Sequence, residues 1–307
     1  MLKIGRNFIT IRVVGGLGNQ LFGAIFGLFA SSHSGLNLKI DGTFVGFGSN
    51  PTRKLEINQF DFRPFEILFK GVSEPRKSLI NRSEIARKAK GRVLRIYKRS
   101  ISENQVESSF VFKPGQKFTG YFHTWEFADK LFELYPKFQL ELKEKSSIFI
   151  QIENDLQKAR PICVHVRLGD FLIHKDKYSF LPQSYFLAAI KVIRETHPNS
   201  EVWIFVESES ELAKYYPVLK ESAKRIIDQS FDCTDAEIFS ILSSSKFLVT
   251  SNSTFSLWAA WFVEKSGSLA IVPNFGSSED SNTRLLDGRW DSINVFSNKL
   301  ITKSKVK

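Results

Sequence analysis

Short apolar strands alternate with helix-length segments through the second half of the chain, and this alternation is the strongest constraint on its fold. The pattern predicts strands at 161–166, 202–206, near Ile226, 247–250 and 269–272, separated by helices at 183–196, 209–217, 235–244 and 254–264. Strands joined by helices of this length form a parallel sheet with helices on both faces. The second half is therefore predicted to be a Rossmann-like domain.

The amino-terminal part opens with a similar strand, helix and strand. Residues 8–14 predict a strand, 21–30 a buried helix, 36–40 a second strand, 119–123 a further strand, and 127–157 a helical stretch broken near Pro136. Residues 50–115 are basic and poor in strand patterns, which predicts an insertion. The expected fold class is α/β, with one Rossmann-like domain over 1–158 and another over 159–307, facing a central cleft.

The formal charge of +11 is concentrated in one stretch. Residues 70–99 carry a net charge of +9, and Ile85, Ala89, Val93 and Ile96 recur there at about helical spacing. This pattern predicts a basic amphipathic helix that contacts an anionic membrane or an acidic ligand, or is simply a solvated surface helix. Nucleic acid ranks last, because no aromatic-rich strand pair or zinc-finger spacing accompanies the charge.

Targeting features are sparse in this sequence. It has no apolar run of about 18 residues and no apolar segment followed by a small-residue cleavage site. Its two cysteines, Cys163 and Cys233, have no zinc-site spacing. We expect a cytoplasmic protein without a metal centre.

Three polar residues end the apolar strand at 161–166. His165, Arg167 and Asp170 lie where open α/β sheets bind ligands, beyond the carboxyl end of a strand. An arginine there offers a guanidinium that suits a diphosphate, and the adjacent glycine allows close backbone approach. The alternative is that Arg167 and Asp170 only pair with each other.

A glycine-rich turn, GGLGNQ, separates the first strand from the first helix. Gly16 and Gly18 fit the first two positions of a dinucleotide fingerprint, but Leu21 occupies the third. Asp41 at the end of the second strand resembles the ribose-binding acid of a dehydrogenase, so a nicotinamide-dependent oxidoreductase is one alternative. A tight turn without a ligand is the other.

Small polar residues crowd the start of the helix at 254–264. One of Ser251, Asn252, Ser253 and Thr254 would suffice as a helix cap. Hydroxyls beside the unpaired N–H groups of a helix N-terminus also suit phosphate oxygens. The cluster is therefore a candidate anion site.

Together these segments resemble the family of α-1,2-fucosyltransferases. Its members carry a GGLGNQ-type turn, a strand ending HxRRGD and a later NSTFSxW segment, in the order found here. LPQSYF followed by AI, and VWIFVESE, are similar to two further family stretches. The match is specific over about 162–262 and absent over 45–115.

The resemblance implies a GT-B glycosyltransferase that binds GDP-fucose in its second domain and needs no metal. It places Arg167 on the donor β-phosphate, His165 on the nucleotide, and Ser253 and Thr254 against the diphosphate. Asn252 is a further expected donor-binding residue. Across the cleft it places Gly16, Gly18, Asn19 and Gln20. Glu237 and Asp235 compete as the acid that reads guanine, and either is also a natural helix-start residue.

The sequence departs from the family pattern at two places. Leu168 stands where the family has a second arginine, and Glu207-Ser208-Glu209 replaces its SDD stretch. Arg167 is expected to stabilise the charge on the departing diphosphate. Asp170 is expected either to orient Arg167 or to act as base, Asp41 is a further candidate base, and neither is assigned.

The leading hypothesis is inverting transfer of L-fucose from GDP-β-L-fucose to the 2-hydroxyl of a galactose-terminated glycan. The expected setting is the synthesis of a lipid-linked surface polysaccharide or O-antigen, at the inner face of the membrane. Another nucleotide-linked deoxysugar is the alternative donor. A non-catalytic basic binding protein is a further alternative from a different class.

Overall fold

The structure is a computed structural model of the 307-residue chain. It describes residues 7–43, 45, 53–70, 100–106, 110–169, 180–276, 285–286 and 288–303. The chain divides into two compact units, Met1–Lys143 and Glu144–Lys307. Apart from Lys70, the basic stretch at 70–99 lies outside the described residues, as does Asp170.

The described elements follow one another in a regular alternation. The helices are α1 (Leu17–Ser34), α2 (Glu126–Leu134), α3 (Ser147–Ala159), α4 (Gln183–Thr196), α5 (Glu209–Tyr215), α6 (Pro217–Ser222), α7 (Asp235–Ser243) and α8 (Thr254–Lys265). The strands are β1 (Phe8–Arg12), β2 (Asn37–Asp41), β3 (Phe60–Arg63), β4 (Ile67–Lys70), β5 (Ile101–Ser102), β6 (Lys117–Thr119), β7 (Gln139–Leu142), β8 (Ile162–Val166), β9 (Val202–Val206), β10 (Arg225–Ile227), β11 (Phe247–Val249), β12 (Leu269–Asn274), β13 (Asp291–Asn294) and β14 (Leu300–Ile301).

The first unit contains a parallel sheet in the order β4-β2-β1-β6-β5. Helix α1 packs on this sheet and is apolar on nearly every face, so most of its residues are buried. The packing is close at Gly27, where an added Cβ would lie 2.7 Å from the side chains of Ile11 and Leu38. A larger residue at this position would force the Ile11 and Leu38 side chains, or the helix, to shift.

Two sequence predictions for the first unit are wrong. Residues 50–115 are not simply an insertion, because β4 and β5 within them are strands of the main sheet. Residues 127–157 do form helices on either side of the predicted break near Pro136, but they are not otherwise helical, because β7 lies between α2 and α3 and pairs antiparallel with β3. The apolar positions of β7 alternate with polar ones, and a partner strand some 80 residues earlier in the chain makes it a strand.

The second unit contains a seven-stranded sheet in the order β10-β9-β8-β11-β12-β13-β14. All neighbours are parallel except β13 and β14, which form an antiparallel hairpin at one edge. Strand β8 lies inside the sheet between β9 and β11, and all five of its residues are buried. Burial on both faces explains why it reads as a continuous apolar run.

These two parallel-sheet units confirm the predicted α/β class with two Rossmann-like domains, the domain content of a GT-B protein. The division at Lys143 lies earlier than the expected boundary after residue 158. Helix α3 belongs to the second unit because it packs against α7. Within the part of the chain that the structure describes, no helix is both long enough and apolar enough to cross a bilayer.

Candidate functional site

His165 is the next-to-last residue of strand β8 and connects this strand to the start of α8. Its Nδ1 is 2.5 Å from the hydroxyl of Ser256, and its ring lies 5.1 Å from that of Phe255 between centroids. Strands β8 and β11 run in parallel, so the segment after β11 emerges at the same edge of the sheet. The predicted histidine and the predicted polar helix start therefore meet.

A network of buried hydroxyls surrounds this contact. Ser253 is the N-cap of α8 and accepts a hydrogen bond from the N–H of Ser256 at 3.2 Å. The Ser256 hydroxyl is 2.8 Å from that of Ser251 and 2.9 Å from that of Ser253. Ser256, which sequence reasoning did not select, is thus the centre of the cluster.

The imidazole of His165 is neutral at physiological pH. Burial lowers the pKa of His165 to about 4, with the Glu207 carboxylate opposing this shift and the Arg167 guanidinium adding to it. A neutral ring can form a hydrogen bond with Ser256 without adding a buried charge. The site therefore takes its positive charge from arginine.

Arg167 lies just past the end of β8 and forms an ion pair with Glu207, just past the end of β9. Its Nη1 is 2.5 Å from Glu207 Oε1, and both side chains are 21% exposed. Glu207 Oε2 also accepts a hydrogen bond from the N–H of Leu168 at 3.0 Å. Glycine at position 169 suits this arrangement, because an added Cβ would lie only 3.2 Å from Glu207 Oε1. Glu207 therefore holds Arg167, whereas Asp170, the expected partner, is outside the described residues.

The remaining predicted diphosphate residues lie at the same helix start. Asn252 is 1% exposed and directly precedes the cap, and Thr254 is the first residue of α8. Helix α8 is twelve residues long, so its N-terminal N–H groups and dipole favour an anion nearby. A guanidinium and a helix N-terminus at one sheet edge can stabilise a developing negative charge.

Glu237 has a structural role at the start of α7. One oxygen accepts from the N–H of Thr234 at 2.9 Å in a capping box, and the other accepts from the N–H of Ser146 at 2.7 Å. Burial acts to raise the pKa of Glu237, but these hydrogen bonds outweigh it and the pKa lies below its usual value. The capping interpretation is thereby supported for Glu237, and Asp235 lies in the same first turn. The guanine contact stays a prediction.

In the first unit the glycine turn is shorter than predicted. Gly15 has a left-handed φ of +76° and Gly16 caps α1, which begins at Leu17 and not at Leu21. Gly18, Asn19 and Gln20 consequently belong to the first turn of the helix. They were predicted to lie in the turn itself.

Gln20 is fully buried and joins this helix to the segment at 54–57. Its Nε2 donates to the carbonyls of Gly15 at 2.9 Å and Lys54 at 2.8 Å. Its Oε1 accepts from the N–H groups of Glu56 at 2.9 Å and Ile57 at 3.3 Å. Four backbone partners give this predicted cleft residue a structural role.

Two other polar residues of this unit are engaged within it. The Asn19 Oδ1 is 3.0 Å from Nε2 of His123, which follows β6. Asp41, the ribose-binding candidate of the oxidoreductase alternative, lies 3.8 Å from the Nε of Arg12 and accepts the N–H of Thr43 at 3.1 Å. Across the described ranges, no group of three or more His, Cys, Asp or Glu is placed to hold a metal ion.

Comparison with known proteins agrees with the family expected from the sequence. The model of glycosyl transferase family 11 matches residues 95–288. An alpha-1,2-colitosyltransferase of Escherichia coli is 21% identical over 289 residues, covering 87% of this chain and 91% of the relative.

Two solved structures show what else this chain is similar to. The fucosyltransferase NodZ from Bradyrhizobium aligns with 98% of this chain and 99% of its own, at 14% identity and a TM-score of 0.45. A mutant of FUT1 from Arabidopsis thaliana in complex with GDP aligns with 89% of this chain and 71% of its own, at 14% identity and a TM-score of 0.46. The family match covers well over half of the chain and includes both polar strand ends described above. The chain therefore belongs to glycosyl transferase family 11.

Proposed function

We propose that this glycosyltransferase moves L-fucose from GDP-β-L-fucose to the 2-hydroxyl of a galactoside, with inversion at the anomeric carbon. One observation carries the proposal. Arg167 lies past the carboxyl end of an internal strand, and the His165–Ser256 contact joins that strand end to the N-terminus of α8. This is the arrangement of positive groups that a departing nucleoside diphosphate needs.

The proposed reaction is a single in-line displacement. The acceptor oxygen forms a bond to the anomeric carbon as the bond to the β-phosphate oxygen breaks, and the electron pair leaves with GDP. Arg167 and the N–H groups at the start of α8 bind that oxygen more strongly as its charge grows, which lowers the barrier. A fixed guanidinium supplies the charge neutralisation for which other transferases use a divalent cation, so we propose that no metal is required.

The ion pair with Glu207 fits this use of Arg167. A carboxylate holds the guanidinium in one orientation before the donor arrives, so less conformational entropy is lost when it binds. The described contact joins Nη1 of Arg167 to Glu207 Oε1, and a guanidinium carries five N–H donors in all. We propose that Arg167 keeps this ion pair while it binds a phosphate oxygen.

A second donor is favoured by one specific comparison. The relative that covers 87% of this chain is described as an alpha-1,2-colitosyltransferase. Colitose is L-fucose lacking the 3-hydroxyl, so one diphosphate site would serve both donors. We propose GDP-fucose as the donor and GDP-colitose as its competitor, because the residues described would bind the diphosphate that the two donors share.

The proposed acceptor is a galactose-terminated glycan on a lipid carrier, in the synthesis of a surface polysaccharide. The net charge of +11 supports binding of the protein to an anionic membrane surface. Binding to vesicles with and without anionic lipid, compared at low and high salt, tests this part. Equal binding to neutral and anionic vesicles would count against it.

The transfer itself is tested with the Arg167→Ala variant. Parent and variant are incubated with GDP-fucose and a panel of galactosides in the presence of EDTA, and the linkage of the product is assigned by NMR. We expect parent activity with EDTA and a loss in kcat of about 10²- to 10³-fold in the variant, since one donor to the leaving charge is removed.

Arg225→Ala provides a matched control. Arg225 is 22% exposed and pairs with Asp155 at 2.9 Å, so its removal breaks a comparable ion pair, but it lies at the amino end of its strand. Its kcat should stay within about twofold of the parent. Near-normal transfer by Arg167→Ala, or faster transfer of colitose than of fucose by the parent, would refute the mechanism or the donor respectively.

A further inference from the structure

We infer that the stacked rings of Tyr121 and His123, in the first unit, form a platform that binds the apolar face of the galactose ring of the acceptor. The two ring centroids lie 5.0 Å apart with an interplanar angle of 23°. Tyr121 is 43% exposed, which is high for a large aromatic side chain. The inference rests on the proposed function for the identity of the sugar.

The backbone of this segment is held in an unusual conformation. Phe122 has a left-handed φ of +51°, which is an outlier for a bulky residue, and Gly120 has a φ of +154°. Such strain persists only where the surroundings enforce it, and it concentrates at ligand-binding sites. It therefore indicates that the placement of the flanking side chains matters.

Phe122 is the anchor that enforces this conformation. Its ring is 3% exposed and stacks on that of Phe26 at 4.0 Å and 7°. Its N–H donates to the carboxylate of Glu103. With Phe122 fixed in the core, Tyr121 and His123 on either side of it are left to stack on each other.

His123 is fixed from two further directions. Its Nε2 is 3.0 Å from the Oδ1 of Asn19, and the ring of Phe22 meets it edge-on at 5.0 Å. Asn19 lies in the first turn of α1, so the platform adjoins the glycine turn. Both follow the carboxyl ends of strands in a parallel sheet, where α/β proteins bind ligands.

This geometry matches the chemistry of galactose. The axial 4-hydroxyl leaves the opposite face of the ring lined by C–H groups, which are weakly positive and pack against the negative face of an aromatic ring. A ring that is already held by its neighbours loses little freedom on binding.

The test measures galactoside binding and transfer separately. Methyl β-galactoside is titrated into parent protein, Tyr121→Leu and Tyr121→Phe, and followed by saturation-transfer NMR. Tyr121→Leu should weaken binding about tenfold, while Tyr121→Phe, which keeps the ring, should bind like the parent. With GDP-fucose present, the acceptor KM should rise by a similar factor in Tyr121→Leu, with the thermal shift caused by GDP unchanged.

Two further variants guard against a general effect. Phe296→Leu removes an aromatic ring that is 74% exposed in the other unit and should leave galactoside binding as in the parent. His123→Leu removes the ring on which Tyr121 stacks and should weaken galactoside binding as well. Both are checked for folding by circular dichroism.

Each outcome decides the matter in one direction. Unchanged galactoside affinity in both Tyr121→Leu and His123→Leu, no galactoside binding by the parent, or loss of GDP binding in Tyr121→Leu would overturn the platform. Ring-dependent galactoside binding without any fucosyl transfer would uphold the platform and refute the proposed function. Fucosyl transfer with the same acceptor KM in Tyr121→Leu as in the parent would uphold the proposed function and refute the platform.

Discussion

Replacing Gln20 by leucine separates a structural role for this residue from a direct role in substrate binding. The substitution keeps the approximate volume of the side chain but removes every hydrogen bond that it makes. Gln20 bonds to four backbone groups, two carbonyls and two N–H groups, in the segments at 15 and 54–57. We expect the first unit to lose stability and the segment at 54–57 to detach from α1.

The magnitude follows from the burial of the four partners. The N–H groups of Glu56 and Ile57 are buried, and each would be left without an acceptor at a cost of about 1–3 kcal/mol. The carbonyls of Gly15 and Lys54 are partly exposed and can bond to water, so they add about 1 kcal/mol together. The expected loss in the free energy of unfolding is about 3–7 kcal/mol.

Urea denaturation and hydrogen exchange measure this loss. Trp125 is the single tryptophan in the sequence of the first unit, so the part of the fluorescence change that comes from Trp125 reports on that unit. Exchange should accelerate most in peptides that contain Glu56 and Ile57. Gln116→Leu is the control, because it removes one exposed hydrogen bond, to the N–H of Lys113, and should cost at most about 1 kcal/mol.

Unfolding of Gln20→Leu at the same urea concentration as Gln116→Leu would refute the structural role of Gln20. A variant with full stability and normal exchange that no longer binds donor or acceptor would show that Gln20 contacts substrate. Loss of binding together with loss of stability supports the structural role.

Two further predictions concern the second unit. On acidification from pH 6.5 to 4 the parent should lose about 3 kcal/mol of unfolding free energy, because His165 is protonated in the unfolded chain but stays neutral in the folded protein. In urea titrations, His165→Gln should abolish that part of the pH dependence. Glu237→Ala should lower stability by about 2 kcal/mol and Glu237→Gln by less, since glutamine keeps one of the two acceptor oxygens. Thermal denaturation with and without GDP checks this order, and an unchanged melting temperature combined with lost preference for GDP over UDP would instead assign Glu237 to guanine recognition.

Much of the second unit could be predicted because its signals are local. The helix at 183–196 and the strand at 202–206 have the predicted bounds, since each segment is long or apolar enough to specify its own conformation. The sequence pattern favours a helix at 139–142, because four residues of alternating polarity give only a weak strand signal. Their strand conformation depends on pairing with residues 60–63, which no local pattern reveals.

The candidate site was likewise predictable from the sequence only in part. Polar residues at a buried strand end and at a helix start can be recognised from the sequence, and the structure brings His165 together with the start of α8. The sequence does not single out their partners. Ser256, which bonds to His165, falls within an apolar helix, and Glu207, which pairs with Arg167, stands only as a departure from a family pattern. A signal for Glu207 existed, because an acid directly after a buried strand would meet a positive group at the same sheet edge.

By itself, the amino-acid sequence determined the α/β class, the alternation of strands with helices, and which strand ends carry polar side chains, because hydrophobic periodicity and capping act over a few residues. Only the tertiary structure decided which side chains meet there. The order of strands in a sheet places residues 91 positions apart, such as His165 and Ser256, within hydrogen-bonding distance. Lateral pairing between strands depends on the packing of the whole sheet, and so it leaves no mark in any single segment.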